Sequence, residues 1–198
     1  DAYHTFIRRD VDFDRLVVET KRKIMVTSLS SELHVLAAAL YRLAQQSWNT
    51  RDFTLTGIRR ALIDVVACLP VYRTYVTGER VDDADRRDLD WAVGRARKLA
   101  GAVDASLYDF LHAVLSTELA TRHAPGDAAH GRHGLDPADV VQIAMKFQQF
   151  SGPVMAKSLE DTVFYRYFRL VALNEVGGEP GRFGTTVSAF HHVNQDRL

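Results

Sequence analysis

The densest cluster of chemistry-bearing residues runs from Gly152 to Tyr167, in the order Gly152-Pro153-Val154-Met155-Ala156-Lys157-Ser158-Leu159-Glu160-Asp161-Thr162-Val163-Phe164-Tyr165-Arg166-Tyr167. Lys157, Glu160, Asp161, Tyr165 and Arg166 follow directly on a short apolar run. A core helix needs few such groups, whereas a site for a polar ligand needs many. Lysine and arginine donate to hydroxyls, carboxylates accept from them, and tyrosine offers a ring to stack on. Val154-Met155-Ala156 reads as a short strand, and Lys157 then falls at its carboxyl end, where barrel enzymes hold ligand-contacting groups. The alternative is a surface lysine. Glu160 and Asp161 are neighbours, so on a helix they diverge by about 100°. They are therefore not a pair of glycosidase carboxylates, which must face each other across a bond. Without a ligand they read as first-turn acids that favour a helix dipole.

Other groups carry weaker signals. Trp48, Trp91, Tyr72 and Tyr75 could stack on sugar rings, but aromatics in helical stripes usually belong to a core, and both tryptophans are expected there. His123, His130 and His133 lie in a Gly/Pro/Ala-rich loop over 122–135 with no rigid spacing, so no metal site is expected. His191 and His192 point different ways on a helix. Cys68 sits in Val65-Val66-Ala67-Cys68-Leu69 and reads as a buried small hydrophobe. Lys21-Arg22-Lys23 reads as a solvated helix face.

These groups must be positioned by helices. Leu16, Val17, Thr20 and Ile24 share one face, and Leu33, Leu36, Ala37, Leu40 and Ala44 share another behind a Ser30 cap. Leu55, Ile58, Leu62, Val65 and Leu69 form a third stripe between a Thr54 cap and Pro70. Val71 to Val76 reads as extended. Asp82 to Ala100 is helical, with acids first and bases last, as the macrodipole favours. Leu107, Phe110, Leu111, Val114 and Leu115 mark a shorter helix. Asp136-Pro137 opens another, with the aspartate as cap and the proline in the first turn. The pattern predicts a mainly α chain: a helical bundle over residues 1–150, then a less regular segment over 151–198.

The 198 residues carry 25 Lys+Arg and 25 Asp+Glu, a formal charge of zero. That argues against a nucleic-acid binder, which needs a basic excess to displace counterions. No apolar run has the roughly 20 residues of a membrane span. A lone cysteine suits a reducing cytoplasm. The chain opens on Asp1 and closes on Leu198 in what reads as a helix, as expected of a piece of a larger protein.

The Gly152–Tyr167 stretch resembles the maltooligosyltrehalose synthases. So do Arg51-Asp52-Phe53-Thr54-Leu55, Ala67-Cys68-Leu69-Pro70-Val71-Tyr72-Arg73-Thr74-Tyr75, Ser31-Glu32-Leu33-His34-Val35-Leu36-Ala37 and Lys146-Phe147-Gln148-Gln149-Phe150. The resemblance implies a helical insertion in an amylase-like (β/α)8 barrel, with residues 151–198 returning to that barrel. It implies an enzyme that isomerises the reducing-end α-1,4 linkage of a maltooligosaccharide to the α,α-1,1 bond of trehalose, by retaining chemistry on two close carboxylates and without a cofactor. None of the family's catalytic acids has a counterpart here, so no catalytic residue is assigned and the chain alone is expected to be inactive. What carries over is substrate binding by Lys157, Glu160, Asp161, Tyr165 and Arg166, with Arg73 and Tyr75 behind them. The partners implied are the maltooligosaccharide and the rest of the parent chain, with no nucleic acid and no membrane. The competing reading is a non-catalytic helical interaction module.

Overall fold

The protein is described by a computed structural model covering residues 2–8, 11–101, 105–121 and 135–195. Its helices are α1 (Ala2–Ile7), α2 (Phe13–Val26), α3 (Ser30–Ala44), α4 (Leu55–Cys68), α5 (Asp83–Ala100), α6 (Ala105–Leu115), α7 (Glu118–Thr121), α8 (Pro137–Met155) and α9 (Val187–Asn194). No strand occurs among the described residues. The chain is mainly α, as its apolar periodicity predicts. The loop expected over 122–135 lies outside the described residues up to position 134, and with it His123, His130 and His133. Leu135 is buried.

Capping residues explain several helix starts. Asp12 Oδ1 accepts from Arg15 N at 2.9 Å, Thr54 Oγ1 from Gly57 N at 3.0 Å, and Asp136 Oδ1 from Ala138 N at 2.9 Å. Each satisfies one of the amides that a helix start leaves open. Ser30 does not cap α3. Leu29 holds the cap position without a side-chain bond, because its own side chain is drawn into the core. There α2 and α3 meet at 84°.

Helix α4 is the axle of the bundle. Ile58, Ala61, Leu62, Val65, Val66, Ala67 and Cys68 are all buried, and α2, α3, α5 and α6 pack around them. Leu33, Leu36, Leu40 and Leu43 of α3, Leu107, Leu111 and Leu115 of α6, and Val140, Phe147 and Val154 of α8 complete the core. Each such side chain contributes about 1.5–3 kcal/mol on burial. A polar network runs through it. Asp64 of α4 accepts from Arg22 Nη2 at 2.7 Å and from the Tyr108 hydroxyl at 3.2 Å, tying α2, α4 and α6 together. Burial and the Asp64 charge push the Tyr108 hydroxyl up to about 12.

Two expectations fail here. Val154 and Met155 are not a strand but the last turn of α8, and the chain passes from them into a π-helical turn, Ala156–Glu160. Apolar runs of this length do not distinguish a strand from a buried helix end. The tryptophans are not core. Trp48 is 78% exposed with the Arg51 guanidinium 3.6 Å above its ring, and Trp91 is 59% exposed. Short 3-10 turns over Val163–Tyr165 and Val171–Leu173 follow the π turn, and residues 161–186 hold no longer helix. Val163 and Tyr167 form a small second core with Leu16, against which Tyr3, Phe13 and Val17 pack.

Candidate functional site

Helix α8 delivers the candidate residues. It carries Pro153 inside its last turn. A proline there removes one backbone donor and crowds the preceding turn. Three residues on, the helix widens, and the Ala156 amide is shared between the carbonyls of Gly152 and Pro153. The widening is the π turn, a geometry that recurs at functional sites. It buries Ser158 and part of Leu159, leaves Lys157 and Asp161 in solvent, and holds Glu160 half-buried.

Glu160 is fixed from across the fold. The Tyr72 hydroxyl, carried on the segment that leaves α4 after Pro70, donates to Glu160 Oε1. Burial, reinforced by the Glu160 carboxylate, pushes Tyr72 up to about 12, so it stays a donor at neutral pH. The bond pins the π turn to the end of α4.

Two concavities flank the π turn. The smaller, about 300 Å³, is lined by Glu160, Asp161, Phe164, Tyr165 and Phe168 with Val171, Asn174 and Val176. Asn174 is braced by Nδ2 donations to the carbonyls of Phe164 and Tyr167, both at 2.7 Å. Here two carboxylates stand beside a 73% exposed tyrosine ring. Acceptors next to an exposed ring suit a polyhydroxylated ligand. The larger, about 580 Å³, lies on the other side, among α2, the end of α4, α5 and Leu159, with Lys21, Tyr72, Trp91, Arg95 and Glu179 in its walls.

Glu160, Asp161 and Tyr165 thus share one concavity. Lys157 and Arg166 are exposed beside it and line neither cleft, and the Lys157 side chain has no bond to any described residue. Arg73 and Tyr75 pair with each other, the guanidinium 4.3 Å above the ring, and also lie outside both linings. The Tyr75 amide donates to Asp85 Oδ1 at 3.0 Å, which anchors the 71–76 segment to α5. No catalytic pair of carboxylates facing across a gap is formed by Glu160 and Asp161, as their adjacency requires. Among the described residues no group of three His, Cys, Asp or Glu could hold a metal ion.

The Lys21-Arg22-Lys23 run is not a solvated face. Lys21 is 3% exposed, Arg22 is half-buried against Asp64, and only Lys23 is exposed. The sequence carries the signal for this: Lys21 stands four residues after Val17 and four before Met25, on the apolar stripe of α2. Trp91 and Arg95 have the same i, i+4 relation on α5 and line the cleft together.

No family model matches the chain. A putative maltooligosyl trehalose synthase of Mycobacterium tuberculosis is 47% identical over 89 residues, which is 40% of this chain and 11% of that protein. The solved structure of maltooligosyltrehalose synthase from Arthrobacter ramosus superposes with a TM-score of 0.67 at 30% identity, over 98% of this chain and 20% of that one. A hypothetical maltooligosyl trehalose synthase of Sulfolobus tokodaii shares the fold, with a TM-score of 0.61 at 24% identity over the whole chain. The chain is therefore similar to a fragment of these synthases, spanning about a tenth to a fifth of their length.

Proposed function

We propose that this chain is the helical portion of a maltooligosyltrehalose synthase, and that its π turn presents part of the wall of the substrate cleft. The observation that carries the reading is the similarity to the Arthrobacter ramosus enzyme along 98% of the chain. In this reading the whole protein isomerises the reducing-end α-1,4 linkage of a maltooligosaccharide to α,α-1,1, in the cytoplasm and without a cofactor. The catalytic acids are supplied by the rest of the protein, an amylase-like barrel. Residues 1–150 are the helical domain, and 151–198 lead back to the barrel.

A second observation supports the last point. Phe168, Leu170, Val171, Val176, Phe183 and Phe190 are all exposed, and α9 buries no residue. A row of large apolar side chains along one segment is expected where another part of a protein covers it. The same row is what favours the alternative, an interaction module whose apolar face meets a separate partner.

Within the cleft wall the roles follow from the side chains. Glu160 and Asp161 accept from sugar hydroxyls, Tyr165 stacks on a ring face, and Lys157 and Arg166 donate at the rim. Arg73 and Tyr75 extend the same surface. Tyr72 positions Glu160 and does not itself meet the sugar. A chimera tests the reading: this chain replaces the matching fifth of the Arthrobacter ramosus enzyme. Production of trehalosyl ends from maltopentaose by the chimera supports it. A chimera that folds with an unchanged melting profile but forms no product contradicts it.

A further inference from the structure

The larger cleft holds a charge arrangement that the sugar-binding reading does not use. Lys21 reaches it from α2, and its Nζ donates to the Leu69 carbonyl at 2.8 Å. That carbonyl belongs to the cap at the end of α4, where a cation is favoured by the helix dipole. One bond leaves two of the ammonium's three donors without a partner among the described residues. Arg95 reaches the same cleft from α5, half-buried, and its guanidinium makes no hydrogen bond or ion pair among the described residues. The helix end accounts for Lys21 in part and for Arg95 not at all.

The two cations oppose each other. Burial pushes Lys21 down to about 8; the neighbouring Cys68 partly offsets this, and the positive charge of Arg95 adds to the fall. Asp14 and Glu179 also line the cleft, but neither pairs with Lys21 or Arg95. Asp64 is already engaged by Arg22. Like charges gathered at a partly desolvated site are unfavourable unless an anion joins them. The exposed face of Trp91 stands in the same wall, one helical turn before Arg95, and gives the carbon part of a ligand something to lie on.

We propose that this cleft binds an oxyanion, a phosphate or carboxylate group, between Lys21 Nζ and the Arg95 guanidinium, with the body of the ligand against Trp91. The site is built wholly within this chain and does not depend on the synthase reading. It is a binding site with no group placed for catalysis. Cys68 also lines the cleft, and burial pushes its thiol up, which disfavours the thiolate that a nucleophile needs.

Calorimetric titration of the purified chain tests this, with inorganic phosphate in one arm and acetate in the other, both against sodium chloride at matched ionic strength. The expected result is saturable binding of one equivalent in at least one arm, weakened tenfold or more by Arg95→Gln. Saturation by phosphate alone assigns a phosphate ester, and saturation by acetate a carboxylate. A second measurement needs no variant at Lys21. The saturating ion should slow acetylation of Lys21 at least fivefold while leaving exposed Lys98 unchanged, read by mass spectrometry. Absence of saturation beyond the chloride control in both arms overturns the proposal. So does equal affinity in the wild type and Arg95→Gln.

Discussion

Between about pH 7 and about pH 10 the folded chain should gain stability that a Lys21→Met variant does not gain. Lys21 is almost fully buried, and its ammonium gives up its proton at about 8 in the fold against 10.5 when unfolded. Below about 8 the fold must hold a buried charge, so the unfolded state is favoured. Between the two values the unfolded state carries more protons than the native one, and stability rises with pH. The full difference corresponds to about 3 kcal/mol, and most of it falls between pH 7 and pH 10. Other groups titrate nearby. Burial pushes the Cys68 thiol above its ordinary 9.0, which lowers stability as pH rises past that value. Tyr72 and Tyr108, both pushed up to about 12, lower it above pH 10. The tyrosine contributions are common to the wild type and the variant, but Cys68 feels the Lys21 charge, so the two are compared in a Cys68→Ala background, where the difference between the curves isolates Lys21. Methionine retains the apolar stem and removes the charge. Urea unfolding of both proteins at half-unit pH intervals gives the difference directly. The gap should close or reverse in favour of the wild type as pH rises, by on the order of 2 kcal/mol. Parallel curves would show that Lys21 is not held as a desolvated cation and would refute the reasoning.

Asp64→Ala should destabilise the chain by about 2–4 kcal/mol in the same assay, because it orphans the buried Tyr108 hydroxyl and the Arg22 guanidinium; a double-mutant cycle with Tyr108→Phe should show coupling of about 0.5–1.5 kcal/mol. Leu40→Ala, at a fully buried core position, should cost about 2–5 kcal/mol of unfolding free energy. Tyr72→Phe should raise proteolytic cleavage between Ala156 and Tyr165 under native conditions, since it releases Glu160 and the π turn, while costing only about 1–2 kcal/mol globally. The purified chain should form no trehalosyl ends from maltopentaose, as a chromatographic assay would show; turnover abolished by a point change within the chain would contradict this.

Much of the fold was legible because amphipathic helices announce themselves. The stripe from Leu55 to Leu69 and its Thr54 cap correspond to α4 within a residue. The charge order of Asp82 to Ala100 corresponds to α5, and Asp136-Pro137 to the start of α8. What escaped depended on context that local pattern does not carry. Val154-Met155-Ala156 looks the same in a strand or at a helix end, and only packing under α2 decides. Trp48 and Trp91 look like core residues by type, yet Arg51 covers one and an open cleft faces the other. Lys21 was misread because the charge run around it suggested a surface, while its spacing from Val17 and Met25 pointed inward. The candidate site was partly legible. Glu160, Asp161 and Tyr165 fall together as their motif suggests, but the Tyr72 hydroxyl that pins Glu160 lies 88 residues away in sequence. No spacing rule reaches that far.

The most direct test of the central reading is the kcat/KM of a full-length synthase carrying this chain, compared before and after Lys157→Ala, with maltopentaose as substrate. Lys157 is exposed and its side chain bonds to no described residue. Removing it should therefore shift the unfolding midpoint by no more than about 0.5 kcal/mol equivalent. If Lys157 donates to a sugar hydroxyl at the rim of the cleft, losing a charged donor worth about 1.5–3 kcal/mol lowers kcat/KM by roughly one to two decades. A correctly folded variant with unchanged kcat/KM would contradict the placement of the π turn at the substrate.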